Sequence, residues 1–363
     1  MQAGGAERVM AQLCNHLGKT GHSVTLITLS PASETSFYEV SGVVRQHPLG
    51  RAAEGSGLAR IIRVGGWIKA LRRTIAKLQP DVVISFVDLT NVMVLLATRG
   101  LNVPVIVSER IDPAAHAYRL SWLDRMLRSL TYPHAARIVI QTRRAAKFFK
   151  KTPVGKIVII PNPVPPASTN ARVDRASTGG RFRIIGIGRL DLQKGFDILI
   201  DSFASLADRF PNWDVAIFGQ GPDRGALLHR IALHGLENRI ELKGVSSDVA
   251  SEAARSHLMA FPSRYEGFPN ALAEAMAVGL PVVAFEDVSG VEDLVVSGES
   301  GILVRLDQAL SENPFAEALA QLMTDPELRI EMGEAARIGV ERFHPETVLG
   351  QWDRLLAVVA RRS

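Results

Sequence analysis

Short β-branched runs separated by helical patterns occur in two series in this chain. One series lies on each side of a stretch rich in Pro, Ser, Thr and Gly, from Pro161 to Gly180. The first comprises residues 24–29, 82–86, 103–107, 137–140 and 157–160; the second comprises 183–187, 215–218, 240–242, 258–261, 281–284 and 301–304. Strands alternating with helices lead to a parallel sheet covered by helices, because each parallel connection needs a crossover long enough to hold a helix. Two series therefore imply two α/β domains, which a length of 363 residues suits. The expected division is an N-terminal domain at 1–165, a C-terminal domain at 166–345 and a last helix at 346–363, with 161–180 as linker.

Charge separates the halves. Residues 1–165 hold 22 Lys and Arg against 9 Asp and Glu, a net of +13, whereas the remainder is net −8. A basic half is expected to meet an anionic partner such as a membrane surface or a lipid pyrophosphate. Nucleic acid is not expected: the cations are not interleaved with stacking aromatics, and no nucleic-acid-binding motif is visible. The single cysteine, Cys14, excludes an internal disulfide and suits a reducing cytoplasm; on the apolar face of the first helix it reads as core. No apolar run spans a bilayer, and Glu7 and Arg8 stand where a signal peptide needs its hydrophobic region. No metal is expected, since the chain has no Asp-x-Asp and its histidines lack ligand spacing.

The richest chemistry lies in Arg264-Tyr-Glu-Gly-Phe-Pro-Asn-Ala-Leu-Ala-Glu274. Gly267-Phe268-Pro269 reads as a turn opening a helix, with Pro269 in the first helical turn, where a missing N–H costs nothing. Asn270, Ala271 and Leu272 would then offer backbone N–H groups at a positive dipole end, an anion site. Glu266 precedes that site, and Glu274 lies about one and a half turns into the helix. A phosphate position with a carboxylate for hydroxyls on either side suits a nucleotide-sugar. A second segment, Gly186-Ile-Gly-Arg-Leu-Asp-Leu-Gln-Lys-Gly195, puts Arg189 and Lys194 on a glycine-rich loop after a strand. Fixed cations there can stabilise a diphosphate leaving group as its charge grows.

The first of these segments resembles the E-x7-E motif of retaining GT-B glycosyltransferases of family 4, also called group 1, and the second resembles that family's phosphate loop. Residues 217–222, 240–245, 160–164 and Gly4-Gly-Ala-Glu-Arg8 follow the same family's pattern in the same order, so the likeness covers nearly the whole chain. The resemblance implies two Rossmann-like domains facing across a cleft, with the last helix crossing back to the first domain. It also implies that Gly188, Arg189, Lys194, Gly219, Val245, Glu266, Gly267, Phe268, Pro269, Asn270, Ala271 and Glu274 bind the nucleotide-sugar. Within that set, Glu266, Arg189 and Lys194 are the catalytic candidates, and Glu274 is expected on the ribose hydroxyls. On the acceptor side the candidates are Gly4, Gly5, Glu109, Arg110 and His116, with Asp112 in the same run; the family's donor-site histidine has no clean counterpart. The family's usual first strand is absent before Gly4, so a gap is expected where that central strand would pair.

The expected reaction is transfer of a hexose or N-acetylhexosamine from a UDP-sugar to an acceptor hydroxyl with retention and without metal. Ser108-Glu-Arg-x-Asp-Pro is most similar to the subset acting on polyprenyl-diphosphate oligosaccharides and capsule precursors. An epimerase or glycogen-type synthase of the same fold, or a silent nucleotide-binding module, stands as the alternative. Two amphipathic helices with basic faces, at 60–77 and 119–128, suggest peripheral docking on the anionic inner face of the cell membrane.

Overall fold

The structure, a computed structural model, describes residues 5–29, 38–50, 58–110, 122–149, 152–153, 155–176, 179–246, 248–307 and 313–360. The chain forms two compact units: Met1–Pro163 together with Glu346–Ser363, and Val164–Pro345.

In the second unit six parallel strands form one sheet. They are β7 (Phe182–Ile187), β8 (Trp213–Phe218), β9 (Ile240–Gly244), β10 (Leu258–Phe261), β11 (Val282–Phe285) and β12 (Gly301–Val304). The spatial order is β12-β11-β10-β7-β8-β9. The chain thus builds outward from β7 in one direction, returns to β10 on its other side and builds outward again. Neighbouring crossovers at β7 and β10 diverge, and that leaves a crevice at the carboxyl ends of these two strands. β10 and β11 read as continuous apolar runs because helices cover both faces: all four residues of each are buried.

The first unit carries two smaller sheets. β1 (Thr25–Thr28) pairs in parallel with β2 (Arg45–Pro48), and β3 (Val83–Phe86), β4 (Val105–Ser108), β5 (Arg137–Ile140) and β6 (Ile157–Ile159) form a parallel sheet in that order. Among the described residues β1 and β3 each have one edge without a strand partner. Strand β2 was not expected. Its Arg-Gln-His-Pro sequence is exposed throughout, so no apolar pattern marks it; pairing with β1 alone makes it a strand. Four helices matter here: α1 (Gly5–Lys19), α2 (Leu58–Leu78), α3 (Asp88–Thr98) and α4 (Trp122–Thr131). Trp67, Leu71 and Ile75 of α2 and Met93 of α3 pack with Val107, Ile138 and Ile140 of the sheet. Cys14 of α1 packs with Leu26 and Val44, and burial pushes its thiol up to about 11.

The last helix, Pro345–Ala360, buries Trp352 fully, and this ring stacks on Phe86 at the end of β3 with 6.2 Å between centroids. Asp353 of the same helix meets His16 of α1 at 2.8 Å. The stretch around the unit boundary is no free tether. Val164 N–H donates to the Phe343 carbonyl (2.8 Å), Ala171 N–H donates to that of Val278 (2.7 Å), and Val173 is buried.

Val173 is tied down by Arg329, a fully buried arginine of the helix Pro326–Val340. Its Nε donates to the Val173 carbonyl at 2.8 Å and its Nη1 to the Leu322 carbonyl at 2.7 Å; the guanidinium also lies 5.2 Å from the Phe182 ring. Removing the donor strands buried carbonyls at a cost of about 1–3 kcal/mol each. Arg329→Met is therefore expected to lose at least about 2 kcal/mol in urea unfolding; an unchanged midpoint would contradict this role.

Candidate functional site

The candidates of the second unit lie at the carboxyl ends of strands or on the helix Asn270–Ala277 that follows β10. Gly188 to Lys194 follow β7, Gly219 follows β8, Val245 follows β9 and Glu266 follows β10. Loops after β7 and β10 flank the crevice, and both strand geometry and loop contacts bring them together.

The loop after β7 folds back through a short 3-10 turn, Leu192–Lys194, and ends at Gly195 with φ +65°. It is stitched to the loop after β10. Arg264 N–H donates to the Gln193 carbonyl (2.8 Å), and Gln193 Nε2 donates to the Tyr265 carbonyl (2.9 Å). These contacts set Lys194 against Glu266, whose Oε1 accepts from Nζ at 2.5 Å; Glu266 is buried and Lys194 largely so. The Lys194 stem runs across Gly188, where a Cβ would come within 2.9 Å of Lys194 Cδ. Gly219 is required by a closer approach. Its φ is +148°, and a Cβ would sit 1.8 Å from the Gly188 carbonyl oxygen. The glycines after β7 and β8 are thus contact surfaces between two loops as well as turns.

Arg189 is 61% exposed and its Nε donates to Asp191 Oδ2 at 2.5 Å, so a carboxylate of its own loop steadies it. Asp197 and Arg264 form a second brace that the sequence did not reveal. Arg264 Nη1 and Nη2 reach the two Asp197 oxygens at 2.9 and 2.7 Å, and Nη1 also caps the Leu192 carbonyl at 2.8 Å. Burial pushes the Asp197 carboxyl up, but the hydrogen bonds and charge of Arg264 outweigh it and hold the group below the ordinary range. Sixty-seven residues separate the two, so no local spacing pairs them.

The helix carrying Glu274 spans Asn270–Ala277, one residue later than expected, and Pro269 stands at its N-cap with ψ 80°. The Asn270 N–H is taken by the Phe268 carbonyl at 3.0 Å, so the expected trio of open amides is reduced. Ala271 and Leu272 N–H have no backbone acceptor among the described residues outside the helix ladder. Phe268 is buried against Phe343, with 5.6 Å between centroids, and anchors the turn; Gly267 is half-buried. Glu274 is half-buried on the helix, two turns from Glu266 in sequence, and Val245 is exposed after β9.

In the first unit Gly5 opens α1, exposed, whereas Gly4, Asp112 and His116 lie outside the described residues. Glu109 and Arg110 follow β4 and are both buried. Glu109 accepts from the Tyr132 hydroxyl and lies 3.4 Å from Arg128 Nη2. Burial and the neighbouring Glu109 hold the Tyr132 phenol protonated well above its ordinary range. Among the described residues no three His, Cys, Asp or Glu side chains gather as metal ligands, and no helix is long and apolar enough to cross a membrane.

Comparison with known proteins matches residues 168–338 to the family model described as glycosyl transferases group 1, and residues 3–168 to that described as glycosyltransferase family 4. An alpha-1,4-N-acetyl-D-galactosaminyltransferase of Campylobacter jejuni, named for a diNAcBac-PP-undecaprenol-linked substrate, is 25% identical over 99% of this chain and 96% of its own length. An exopolysaccharide phosphotransferase of Streptomyces coelicolor is 34% identical over 64% of this chain, which spans only 24% of that protein. Among solved structures, the sucrose-phosphate synthase of Thermosynechococcus elongatus superposes with TM-score 0.83 over 99% of this chain and 95% of its own, at 19% identity. It shares the two-domain α/β architecture.

The Asp197–Arg264 brace has a pH signature. A carboxyl depressed in the folded state stabilises fully above its unfolded value of about 4, and that contribution disappears as pH falls through the lower folded value. Asp197→Asn is expected to be less stable than the parent at pH 7, with a smaller gap at about pH 3. A gap of equal size at both pH values in urea unfolding would contradict the ion pair.

Proposed function

The chain is a glycosyltransferase with a family 4 N-terminal domain, a group 1 C-terminal domain and the GT-B fold, and on that premise we propose that it moves a sugar from a UDP-sugar to a hydroxyl of a polyprenyl-diphosphate-linked glycan, with retention. The observation that carries this reading is the Lys194–Glu266 pair at the crevice beside β7 and β10, where one loop offers cations and the other a carboxylate. A diphosphate enters beside Arg189 and Lys194, and the sugar lies toward Glu266.

Chemistry then follows from charge. As the bond from the anomeric carbon to the β-phosphate oxygen breaks, negative charge grows on the diphosphate, and Arg189 and Lys194 stabilise it. The acceptor oxygen forms the new bond on the same face, and its proton passes to the departing phosphate oxygen. Glu266 orients sugar hydroxyls and stabilises positive charge at the anomeric carbon. Glu266 is the single carboxylate read beside that carbon, whereas the covalent route of retaining glycosidases uses a pair, which supports the same-face route. Glu274 accepts from the ribose hydroxyls.

The acceptor class is supported by the undecaprenyl-linked substrate named for the Campylobacter relative and by the +13 balance of residues 1–165. The donor sugar is read as a hexose or N-acetylhexosamine and the product as a cell-surface polysaccharide or glycoprotein glycan. Helix α4 exposes Trp122, Leu123, Met126 and Leu130, which supports peripheral docking at the inner membrane face.

With cations from the protein taking the place of a metal, transfer from a UDP-sugar to extracted lipid-linked acceptors, read by mass spectrometry, is expected to proceed undiminished in EDTA. Activity that vanishes with chelator and returns with Mn²⁺ would refute this. Glu274→Ala is expected to weaken UDP binding by about 1.5–3 kcal/mol in calorimetry, whereas Glu266→Gln should reduce turnover more than UDP affinity. Unchanged UDP affinity in Glu274→Ala would remove the ribose assignment.

A further inference from the structure

The described residues include three buried arginines, and each has solved the problem of burial differently. Arg329 spends its donors on backbone carbonyls. Arg128 lies 3.4 Å from the Glu109 carboxylate and packs over the rings of Tyr132, Phe148 and Phe149 at 4.9–5.2 Å. Arg110 is only 8% exposed and meets no carboxylate among the described residues. The neighbouring acid, Glu109, is taken by Tyr132 and Arg128.

Among the described residues Arg110 has a single neutral acceptor. Its Nη1 donates to Asn162 Oδ1 at 2.8 Å, and that oxygen also accepts from Gln141 Nε2 at 2.5 Å. Its guanidinium lies 4.2 Å over the Phe86 ring and 5.9 Å from that of Trp352. Among the described residues Nε and Nη2 are buried without a partner, as is the indole Nε1 of Trp352 in the same stack. Burial with no acid beside it pushes the guanidinium down to about 9, which still leaves it protonated at neutral pH.

Two features turn this residue from a packing element into a receptor. Nε–H and Nη2–H lie along one edge of the planar guanidinium and point the same way, which is the edge that grips two oxygens of a phosphoryl or carboxylate group at once. Phe86 and Asn162, which hold the face and the other edge, and Gln141, which steadies Asn162, stand at or just past the ends of β3, β6 and β5, while Arg110 itself follows β4. The carboxyl ends of parallel strands are where open α/β sheets bind ligands. Idle buried donors on a charged group are costly and call for an occupant.

We propose that the idle edge of Arg110 is the binding site for a phosphoryl oxyanion carried by the acceptor. This rests on the reading of the acceptor as diphosphate-linked. Asn162, Gln141 and Phe86 are positioning residues that aim the fork.

The test uses the full chain saturated with UDP, so that the donor side is occupied, and inorganic pyrophosphate as probe at about 150 mM salt. Calorimetry is expected to show binding that weakens about ten-fold or more in both Arg110→Lys, which keeps the charge but loses the fork, and Arg110→Met. Lys19→Gln, an exposed cation at the end of α1, should bind as the parent does. Arg110→Met should also melt at the parent's temperature or above, because it removes unpaired donors. With a lipid-diphosphate acceptor, Arg110→Lys should raise KM far more than it lowers kcat. Equal pyrophosphate affinity in the parent and Arg110→Met would overturn the proposal. So would a matching loss of UDP affinity in Arg110→Lys, which would give the anion to the donor. So would a lower melting temperature with no change in pyrophosphate binding, the mark of a purely structural role. Arg110-dependent pyrophosphate binding without transfer to any lipid-diphosphate acceptor would uphold the anion site and sink the acceptor reading instead.

Discussion

Lys194 and Glu266 meet at 2.5 Å although 72 residues separate them, because β7 and β10 are neighbours in the sheet. That neighbourhood follows from the strand order, in which the chain reverses direction beside β7. The rest of the candidate site is arranged around this contact. Gly188 gives the Lys194 stem room to lie flat, Gly219 lets the next loop close over Gly188, and Gln193 and Arg264 join the two loops. The pair also solves an electrostatic problem. A largely buried ammonium and a buried carboxylate would each be costly alone; in the proposed reaction a diphosphate divides them, drawing Lys194 toward phosphate and freeing Glu266 for sugar hydroxyls.

Much of this was legible from residue order. The apolar strands β10 and β12 run over the expected residues, and β7 and β11 lie within one residue of them, because short apolar runs between helical patterns leave little choice. The phosphate-loop glycines and the two glutamates were visible as motifs. Other features were not. β2 has no apolar signal at all, and exists through its ladder to β1. The Asp197–Arg264 brace joins residues whose proximity is decided by the sheet. Pro269 moved to the N-cap because Phe268 is drawn into the core against Phe343, which starts the helix at Asn270 and takes its N–H.

Glu109 and Arg110 illustrate the limit most clearly. As adjacent charged residues after a strand they looked equivalent. Folding sends one into a network with Tyr132 and Arg128 and leaves the other stacked on Phe86 with a neutral amide for company. Only the three-dimensional arrangement separates an acid that braces the sheet from a buried cation with one edge unpartnered among the described residues.

The central claim is that Glu266 neutralises Lys194 until a diphosphate takes its place. UDP affinities of the parent, Glu266→Gln, Lys194→Met and the double variant test it most directly. The account predicts that Glu266→Gln binds UDP at least as tightly as the parent, since Lys194 is released, and that Lys194→Met binds about ten-fold or more weakly. It also predicts that the double variant binds no more weakly than Lys194→Met alone. If Glu266→Gln loses as much affinity as Lys194→Met, and the two losses add in the double variant, the two residues act separately and the account is wrong.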